Sequence, residues 1–166
     1  MSPPEPVHLI KRRRDGALAA LAGSIPYATF LGIAFDRRGD ELTAVLSFRE
    51  ELIGNPMLPA IHGGVTAAFL ETAAQVELAW QSLWPRIEAG EVDPVADPGA
   101  LPRLPKTIDF TIDYLRSGRP RDAYARARVN RSGRRYASVH VEAWQDNRER
   151  LYAQATGHFL MTGGPA

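Results

Sequence analysis

The sequence contains no cysteine, no long apolar run and almost no net charge, and each absence excludes a class of protein. Without cysteine the chain has no disulfide, no thiol nucleophile and no thiolate zinc site. This is compatible with a reducing compartment, and we expect the protein in the cytoplasm. No apolar stretch approaches the ~20 residues that span a bilayer, so we expect no membrane association. The formal charge of +1, from 20 basic and 19 acidic residues, provides no global field to attract nucleic acid.

Several catalytic signatures are absent as well. The chain has no Gly-x-Ser-x-Gly elbow, no dinucleotide-binding fingerprint and no P-loop. Two of its histidines fall on the polar positions of predicted strands, where surface roles are common. All four lack the paired spacing of metal ligands: His8, His62, His140 and His158. We therefore expect no metal, no nucleic-acid partner and no cofactor.

At 166 residues the chain is long enough for one domain with a substantial core. Residues 1–24 are predicted to be an N-terminal segment with a short amphipathic helix, and residues 25–166 to form the domain. The basic run Lys11–Arg14 superficially resembles the start of a secretion signal. The apolar part that follows is too short for such a signal, and Pro26 closes it.

Alternation of apolar and polar residues predicts a sheet of six strands. Two strands form a hairpin within 33–48, and the other four are 106–115, 122–129, 135–144 and 151–161. Short turns join the last three, which should therefore be consecutive antiparallel hairpins. Their inner face is rich in alanine and glycine, so a thick element can approach it closely. That face comprises Ile108, Phe110, Ile112, Tyr114, Ala123, Ala125, Ala127, Val129, Ala137, Val139, Val141, Ala143, Leu151, Ala153, Ala155, Gly157 and Phe159.

The element predicted to fill this space is a helix that begins near Gly63 and runs to about Leu83. It is apolar on nearly every side, as an enclosed helix is. Glu71 brings a carboxylate into its third turn, and burying an ionised carboxylate is costly unless it is paired or held for a function. Five prolines predict a long loop or flap over 85–105. The fold class is α+β, with a curved antiparallel sheet wrapped around one long central helix.

Five residues, in their order along the chain, resemble the hot-dog-fold acyl-CoA thioesterases, in particular the phenylacetate-pathway and 4-hydroxybenzoyl-CoA group: Asn55, His62, Gly63, Gly64 and Glu71. The resemblance implies that the Gly63 amide polarises the thioester carbonyl and that Glu71 is the nucleophile or general base. It also implies that Asn55 orients the carbonyl or a water molecule. The implied reaction is hydrolysis of an acyl-CoA ester by a homodimer or a dimer of dimers. CoA is part of the substrate, so no cofactor is implied.

The chemistry of a helix N-terminus agrees with this assignment. Its unpaired amides and partial positive charge suit an oxygen that acquires negative charge in a tetrahedral intermediate. Without side chains at Gly63 and Gly64, a carbonyl can come close to the backbone. His62 either contacts the substrate or braces the start of the helix through backbone hydrogen bonds.

Gly63 and Glu71 are too far apart on one helix to act on the same atom. They are eight residues apart, which at ~1.5 Å per residue separates them by roughly 12 Å. If both act on one carbonyl carbon, they come from different chains and the site lies at a two-fold interface. Helix geometry therefore predicts a homodimer.

Further residues are predicted to bind the substrate. Glu71 and Gln75 share one face of the helix, with Ala68 and Thr72 beside them, which makes a narrow polar stripe bordered by small groups. Gly64, at the helix start, is also predicted to bind the substrate. Gln75 either lines the substrate site or only satisfies Glu71 within the core. The phosphates of CoA require a local group of arginines, or those arginines are solvated strand ends. The candidates are Arg116, Arg119, Arg121, Arg134 and Arg135, and of these we predict that Arg116, Arg119 and Arg134 bind the substrate.

Two alternatives to hydrolysis remain open. The protein could bind acyl-CoA without catalysis, in which case Glu71 has only a structural role. Release of free thiol from an acyl-CoA ester by the purified protein distinguishes the two functions. Hydratases of the same fold are a minor alternative, because their histidine and acid occur in a different local pattern.

Overall fold

The computed structural model describes residues 4–162. Within that range the chain forms three α-helices and six strands: α1 (Val7–Gly23), α2 (Pro26–Leu31), β1 (Ile33–Arg38), β2 (Glu41–Leu46), α3 (Gly63–Glu88), β3 (Lys106–Tyr114), β4 (Ala123–Ser132), β5 (Tyr136–Trp144) and β6 (Ala153–Leu160). Two short 3-10 turns, Glu50–Leu52 and Pro98–Ala100, lie in the connections.

The six strands form one antiparallel sheet in the order β1-β2-β4-β5-β6-β3. The β1–β2 hairpin and the consecutive β4–β5–β6 hairpins confirm the predicted pairings. β3 pairs with β6 and not with a sequence neighbour, so β1 and β3 are the two edges of the sheet. The predicted architecture, a curved antiparallel sheet around a long helix, is confirmed.

The central helix α3 packs on an inner face made of small residues. Ala125, Ala137 and Ala143 are completely buried there, and Phe69 and Leu70 of α3 are equally buried opposite them. Because alanine adds only one methyl group above the sheet, the helix backbone can lie close to the strands. The predicted alanine-rich face is therefore the floor of the main core.

A second apolar cluster joins α1 to the C-terminal half of α3. α3 ends at Glu88 and not near Leu83 as predicted, although Pro85 lies inside its last turns. Proline removes one helical hydrogen bond. Tertiary contacts compensate, since Arg14 of α1 stacks 4.1 Å from the Trp84 ring centroid and lies 3.3 Å from the Glu88 carboxylate. The predicted 85–105 loop thus begins only after the helix ends.

Strand β3 departs from the predicted alternation at Ile108. Thr107 pairs with Phe159 and Asp109 with His158, so Ile108 is an extra residue in a β-bulge. The prediction that Ile108 lies on the inner face is wrong, because Thr107 and not Ile108 pairs with the inward-facing Phe159, and the Ile108 side chain is 56% exposed. Thr107 takes the inner face instead, opposite the buried Phe159. A simple alternation in the sequence carries no sign of such an insertion.

Candidate active site

The start of α3 is organised by the His62 side chain. His62 is the N-cap, and its Nδ1 accepts a hydrogen bond from the Gly64 amide at 2.8 Å. The backbone carbonyl of His62 accepts hydrogen bonds from the amides of Val65 and Thr66. Among residues 4–162 no acceptor binds the Gly63 amide, which is thus available at the positive end of the helix. The bracing bond that sequence analysis considered for His62 is present.

The two glycines also make room for side chains of their own chain. A Cβ at Gly64 would lie 2.9 Å from His62 Nδ1, and one at Gly63 would lie 3.3 Å from the Tyr114 hydroxyl. That hydroxyl donates a hydrogen bond to the Gly63 carbonyl at 2.9 Å. The sequence predicted only a role in substrate access for the two glycines. Tyr114 was assigned to the inner face, but nothing in the sequence indicated its contact with the helix start.

Asn55 lies in a loop whose ends meet beside His62. Ile53 and Ile61 form an antiparallel bridge that closes the loop. A Cβ at Gly54 would lie 2.8 Å from the His62 ring, so the loop packs directly on that side chain. Asn55 is exposed, and its Oδ1 accepts the Met57 amide at 3.0 Å. The loop therefore packs on the residue before α3 through Gly54, the neighbour of Asn55 in the sequence.

Glu71 is half-buried on α3 and is bound by the first residues of β3. The Thr107 hydroxyl donates a hydrogen bond to Glu71 Oε1. One helical turn later, Gln75 Nε2 donates to the Pro105 carbonyl at 3.2 Å. Gln75 therefore donates its hydrogen bond to the backbone just before β3, and it does not donate one to Glu71. Glu71 takes part in no ion pair within residues 4–162.

Thr107 is the residue that sequence analysis missed. It reaches Glu71 only because the bulge at Ile108 turns it to the inner face. The predicted helix stripe offers fewer polar groups than expected. The hydroxyl of Thr72, which is only 5% exposed, donates to the Ala68 carbonyl at 2.7 Å, and the Gly64 amide is used by His62. Ala68, three residues before Glu71 on the helix, adds only a methyl group there.

The predicted arginines lie at opposite ends of the sheet. Arg116 and Arg119 line a cavity of 340 Å³ beside the β5–β6 turn. Asp146 in that turn lies 2.8 Å from Arg121 and 4.0 Å from Arg119. The hydrogen bond and charge of Arg121 lower the pKa of Asp146, so this carboxylate stays ionised and offsets the basic charge there.

Arg134 lies in the β4–β5 turn, beside a different cavity of 750 Å³. Leu78, Ala79 and Ser82 line this cavity from α3. They lie three, four and seven residues beyond Gln75, so the cavity continues the face of α3 that carries Glu71 and Gln75. Two further arginines line it, Arg86 and Arg103.

Within one chain, Gly63 and Glu71 contact opposite ends of β3. Tyr114 binds Gly63 at the C-terminal end of the strand, and Thr107 binds Glu71 near its start. Seven residues of strand, roughly 20 Å, separate these two anchors. Between residues 4 and 162, no group of three or more metal-binding side chains is placed to hold an ion. No helix in the same range has the length and apolar content of a membrane span.

Comparison with known proteins relates the sequence to thioesterases. Residues 54–160 match the family described as the acyl-CoA thioesterase N-terminal domain. The medium/long-chain acyl-CoA thioesterase YigI of Escherichia coli is 33% identical over 140 residues, which cover 82% of this chain and 86% of that protein. A homologue of YigI from Salmonella typhimurium with the same description is 31% identical over the same share of each chain.

Solved structures show the same fold. A Chromobacterium violaceum protein superposes with a TM-score of 0.62 at 31% identity, covering 94% of this chain and 98% of its own. The Escherichia coli PaaI protein from the phenylacetic acid degradation operon superposes with a TM-score of 0.65 at 17% identity, covering 90% and 96%. The predicted hot-dog fold is confirmed.

Proposed function

The chain belongs to the acyl-CoA thioesterase family, and we propose that it hydrolyses its substrate with groups from two subunits. The Gly63 amide of one subunit polarises the thioester carbonyl. Glu71 of the partner subunit either attacks the carbonyl carbon or takes a proton from the water that attacks it. Attack by Glu71 displaces the CoA thiolate and leaves a mixed anhydride that water then hydrolyses, whereas in the general-base route water attacks the carbonyl carbon directly. Both routes consume one water, cleave the carbon–sulfur bond and end in a carboxylic acid and the thiol of CoA.

The observation that carries this proposal is the one amide at the start of α3 that has no acceptor among residues 4–162. His62 occupies the Gly64 amide but leaves the Gly63 amide to a ligand. The helix behind it has 26 residues, so its partial positive charge is fully developed at this end. An amide fixed in this way stabilises a developing oxyanion without having to reorganise.

The environment of Glu71 supports its role in catalysis. A purely structural carboxylate in a half-buried position is normally paired with a cation. Glu71 instead accepts a hydrogen bond from the neutral hydroxyl of Thr107. This bond orients the carboxylate and leaves its negative charge uncompensated by any basic side chain of the described residues. A charge of that kind can act on a nearby carbonyl or water.

The edge position of β3 supports the dimer. One side of its backbone has no partner strand among residues 4–162, and Ile108, Tyr114 and the following Leu115 are each at least half exposed. Pairing of two β3 strands about a two-fold axis near Phe110 and Thr111 would bring Thr107 of one copy near Tyr114 of the other. Glu71 of one copy would then approach Gly63 of the other. A dimer of dimers stays a prediction.

We assign the phosphates of CoA to the cavity of Arg134, together with Arg86 and Arg103. The cavity lies on the face of α3 that carries Glu71. Arg103 and Arg134 form no ion pair with any residue from 4 to 162, and only Arg86 has an acidic neighbour, Glu91 at 3.5 Å. The alternative pair, Arg116 and Arg119, lines a cavity that also contains the ionised Asp146, which lies 4.0 Å from Arg119. Uncompensated guanidinium groups bind phosphate more strongly.

The assignment is tested with two substrates that share an acyl group. Arg103→Ala and Arg134→Ala should raise KM for the acyl-CoA about 10-fold and leave KM for the acyl-pantetheine ester, which lacks the nucleotide, unchanged. The matched controls are Arg116→Ala and Arg119→Ala at the other end of the sheet. If the controls raise KM for acyl-CoA instead, the phosphates bind at the β5–β6 turn.

The acyl group that we propose is a medium or long chain, the class named for YigI. Met57 and Leu58 expose 86% and 71% of their surface in the loop of Asn55, beside the start of α3. Apolar side chains exposed in a loop that packs on His62 suit an aliphatic chain. A thiol-release assay over short, medium, long and aryl esters should show kcat/KM rising with chain length.

The catalytic role of Glu71 is tested by Glu71→Gln, with Glu77→Gln as its matched control on the same helix. Removing a nucleophile or general base should reduce kcat by about 10² to 10⁴, whereas Glu77→Gln should stay within twofold of wild type. Turnover by Glu71→Gln at the wild-type rate would exclude the proposed mechanism. Binding of acyl-CoA by the wild-type protein without thiol release would favour a non-catalytic role. The proposed steps use no metal or cofactor, so activity should survive dialysis against EDTA.

A further inference from the structure

The β-bulge in β3 decides which side chain meets Glu71. Phe110, Ile112 and Tyr114 share the inner face, so strict alternation would place Ile108 there and turn Thr107 outward. The bulge inserts one residue and reverses this arrangement, with the result that Thr107 donates its hydrogen bond to Glu71. A loss of the bulge would therefore remove the donor from the carboxylate.

An outer-face pair lies directly beside the bulge. Asp109, the residue that follows Ile108, is in register with His158 of β6, and its Oδ1 lies 2.7 Å from His158 Nδ1. The His158 ring is itself stacked on Tyr136 of β5, with 5.5 Å between centroids and 18° between planes. The pair thus ties the end of the bulge to two neighbouring strands.

We infer that Asp109 and His158 are positioning residues, which hold the bulge so that Thr107 points at Glu71. The inference rests on the proposed function of Glu71. The hydrogen bond fixes which residue of β3 lies opposite His158, and that register determines whether residue 107 or residue 108 faces the helix. Stacking on Tyr136 restricts the His158 ring, so the nitrogen that donates to Asp109 has a fixed position.

The same two strands contain a matched control. Asp113 is in register with Gln154, and Gln154 Nε2 donates to its Oδ2 at 3.0 Å. This pair lies on the same outer face, four residues further along β3 and beyond the bulge. It joins the same strands by the same kind of contact but does not touch the bulge. Its loss should therefore weaken the sheet without turning Thr107.

The first experiment compares single variants in the thiol-release assay. Asp109→Ala should lower kcat about 10-fold at unchanged KM, because misorientation of a reacting group affects the chemical step. Asp109→Asn, which keeps an acceptor oxygen, should restore most of kcat, and Asp113→Ala should leave kcat within twofold of wild type. His158→Phe keeps the ring on Tyr136 but removes the donor, so it should repeat the loss of kcat even if Asp109→Ala does not fold.

The second experiment is a double-mutant cycle with Thr107→Val, which has the shape of threonine but no hydroxyl. In this background Asp109→Ala should cause no further loss of kcat, while its effect on the unfolding midpoint should persist. The inference is overturned if Asp109→Ala and His158→Phe keep the wild-type kcat, or if Asp109→Ala has its full effect on kcat in the Thr107→Val protein. Activity of Glu71→Gln would instead overturn the proposed function on which the inference depends.

Discussion

Replacement of Gly63 by proline would remove the proposed oxyanion donor with little damage to the fold. Gly63 is the first residue of α3, a position where proline is well tolerated. Its amide donates no hydrogen bond to residues 4–162, so none is lost within that part of the chain. The preceding residue, His62, already has φ −56° and ψ 134°, the extended conformation that proline requires before it.

The appropriate control is Gly63→Ala. Either variant adds a Cβ near the Tyr114 hydroxyl, which lies 3.3 Å from the ideal Cβ position, but only alanine keeps the N–H. Loss of one oxyanion donor costs about 2.7–4 kcal/mol, so kcat of Gly63→Pro should fall about 10² to 10³ below that of Gly63→Ala. Equal rates for the two variants would show that the Gly63 amide takes no part in the reaction.

A heterodimer of two inactive variants tests whether the site is shared. Co-expression of Gly63→Pro and Glu71→Gln chains with different affinity tags allows the mixed dimer to be purified. If each site combines Gly63 from one subunit with Glu71 from the other, one of its two sites keeps both native groups, and about half of the wild-type kcat should return. A mixed dimer as inactive as its parents would show that both groups act within one chain.

Two further predictions concern stability. Burial raises the pKa of Glu77 above its ordinary value of 4.5. In the pH range just above 4.5, the folded state therefore binds more protons than the unfolded state, and the free energy of unfolding falls as the pH rises. Glu77→Gln should therefore raise the denaturant midpoint at pH 7 more than at pH 4, and an equal change at both would contradict the assignment. Ala125→Leu should lower the free energy of unfolding by about 1–3 kcal/mol, because Ala125 is completely buried under α3 and leaves no room for a larger side chain. Urea titration measures this free energy, and an unchanged midpoint would refute close packing of α3 on the sheet.

The elements and their pairing were largely predictable because they follow from local patterns. The alanines of β4, β5 and β6 predicted a face that receives a helix, and the turns predicted consecutive hairpins. The end of α3 was not predictable, because Pro85 argues against a helix unless the contact of Arg14 with Trp84 is known. That contact joins residues far apart in the sequence.

In the candidate site too, the features set by neighbouring residues were predictable and those set by distant contacts were not. His62 and Gly63 are adjacent in the sequence and begin α3, and the loop that contains Asn55 packs on His62 through Gly54. The contact of Thr107 with Glu71 depends on a bulge that no periodicity reveals. The arginines were predicted to form one group because CoA carries several phosphates. The β4–β5 turn, with Arg134, and the β5–β6 turn, beside Arg116 and Arg119, lie at opposite ends of the sheet, so the structure separates these arginines.

Strand β3 connects the fold to the proposed chemistry. It contacts the Gly63 end of α3 through Tyr114 and the Glu71 carboxylate through Thr107, and it is also the free edge where a second subunit could pair. A shift of this strand by one residue would displace both contacts and the proposed interface together. Assembly of the dimer should therefore stabilise the register that orients the active-site groups, so dilution below the dimer dissociation constant should lower kcat before it unfolds the chain.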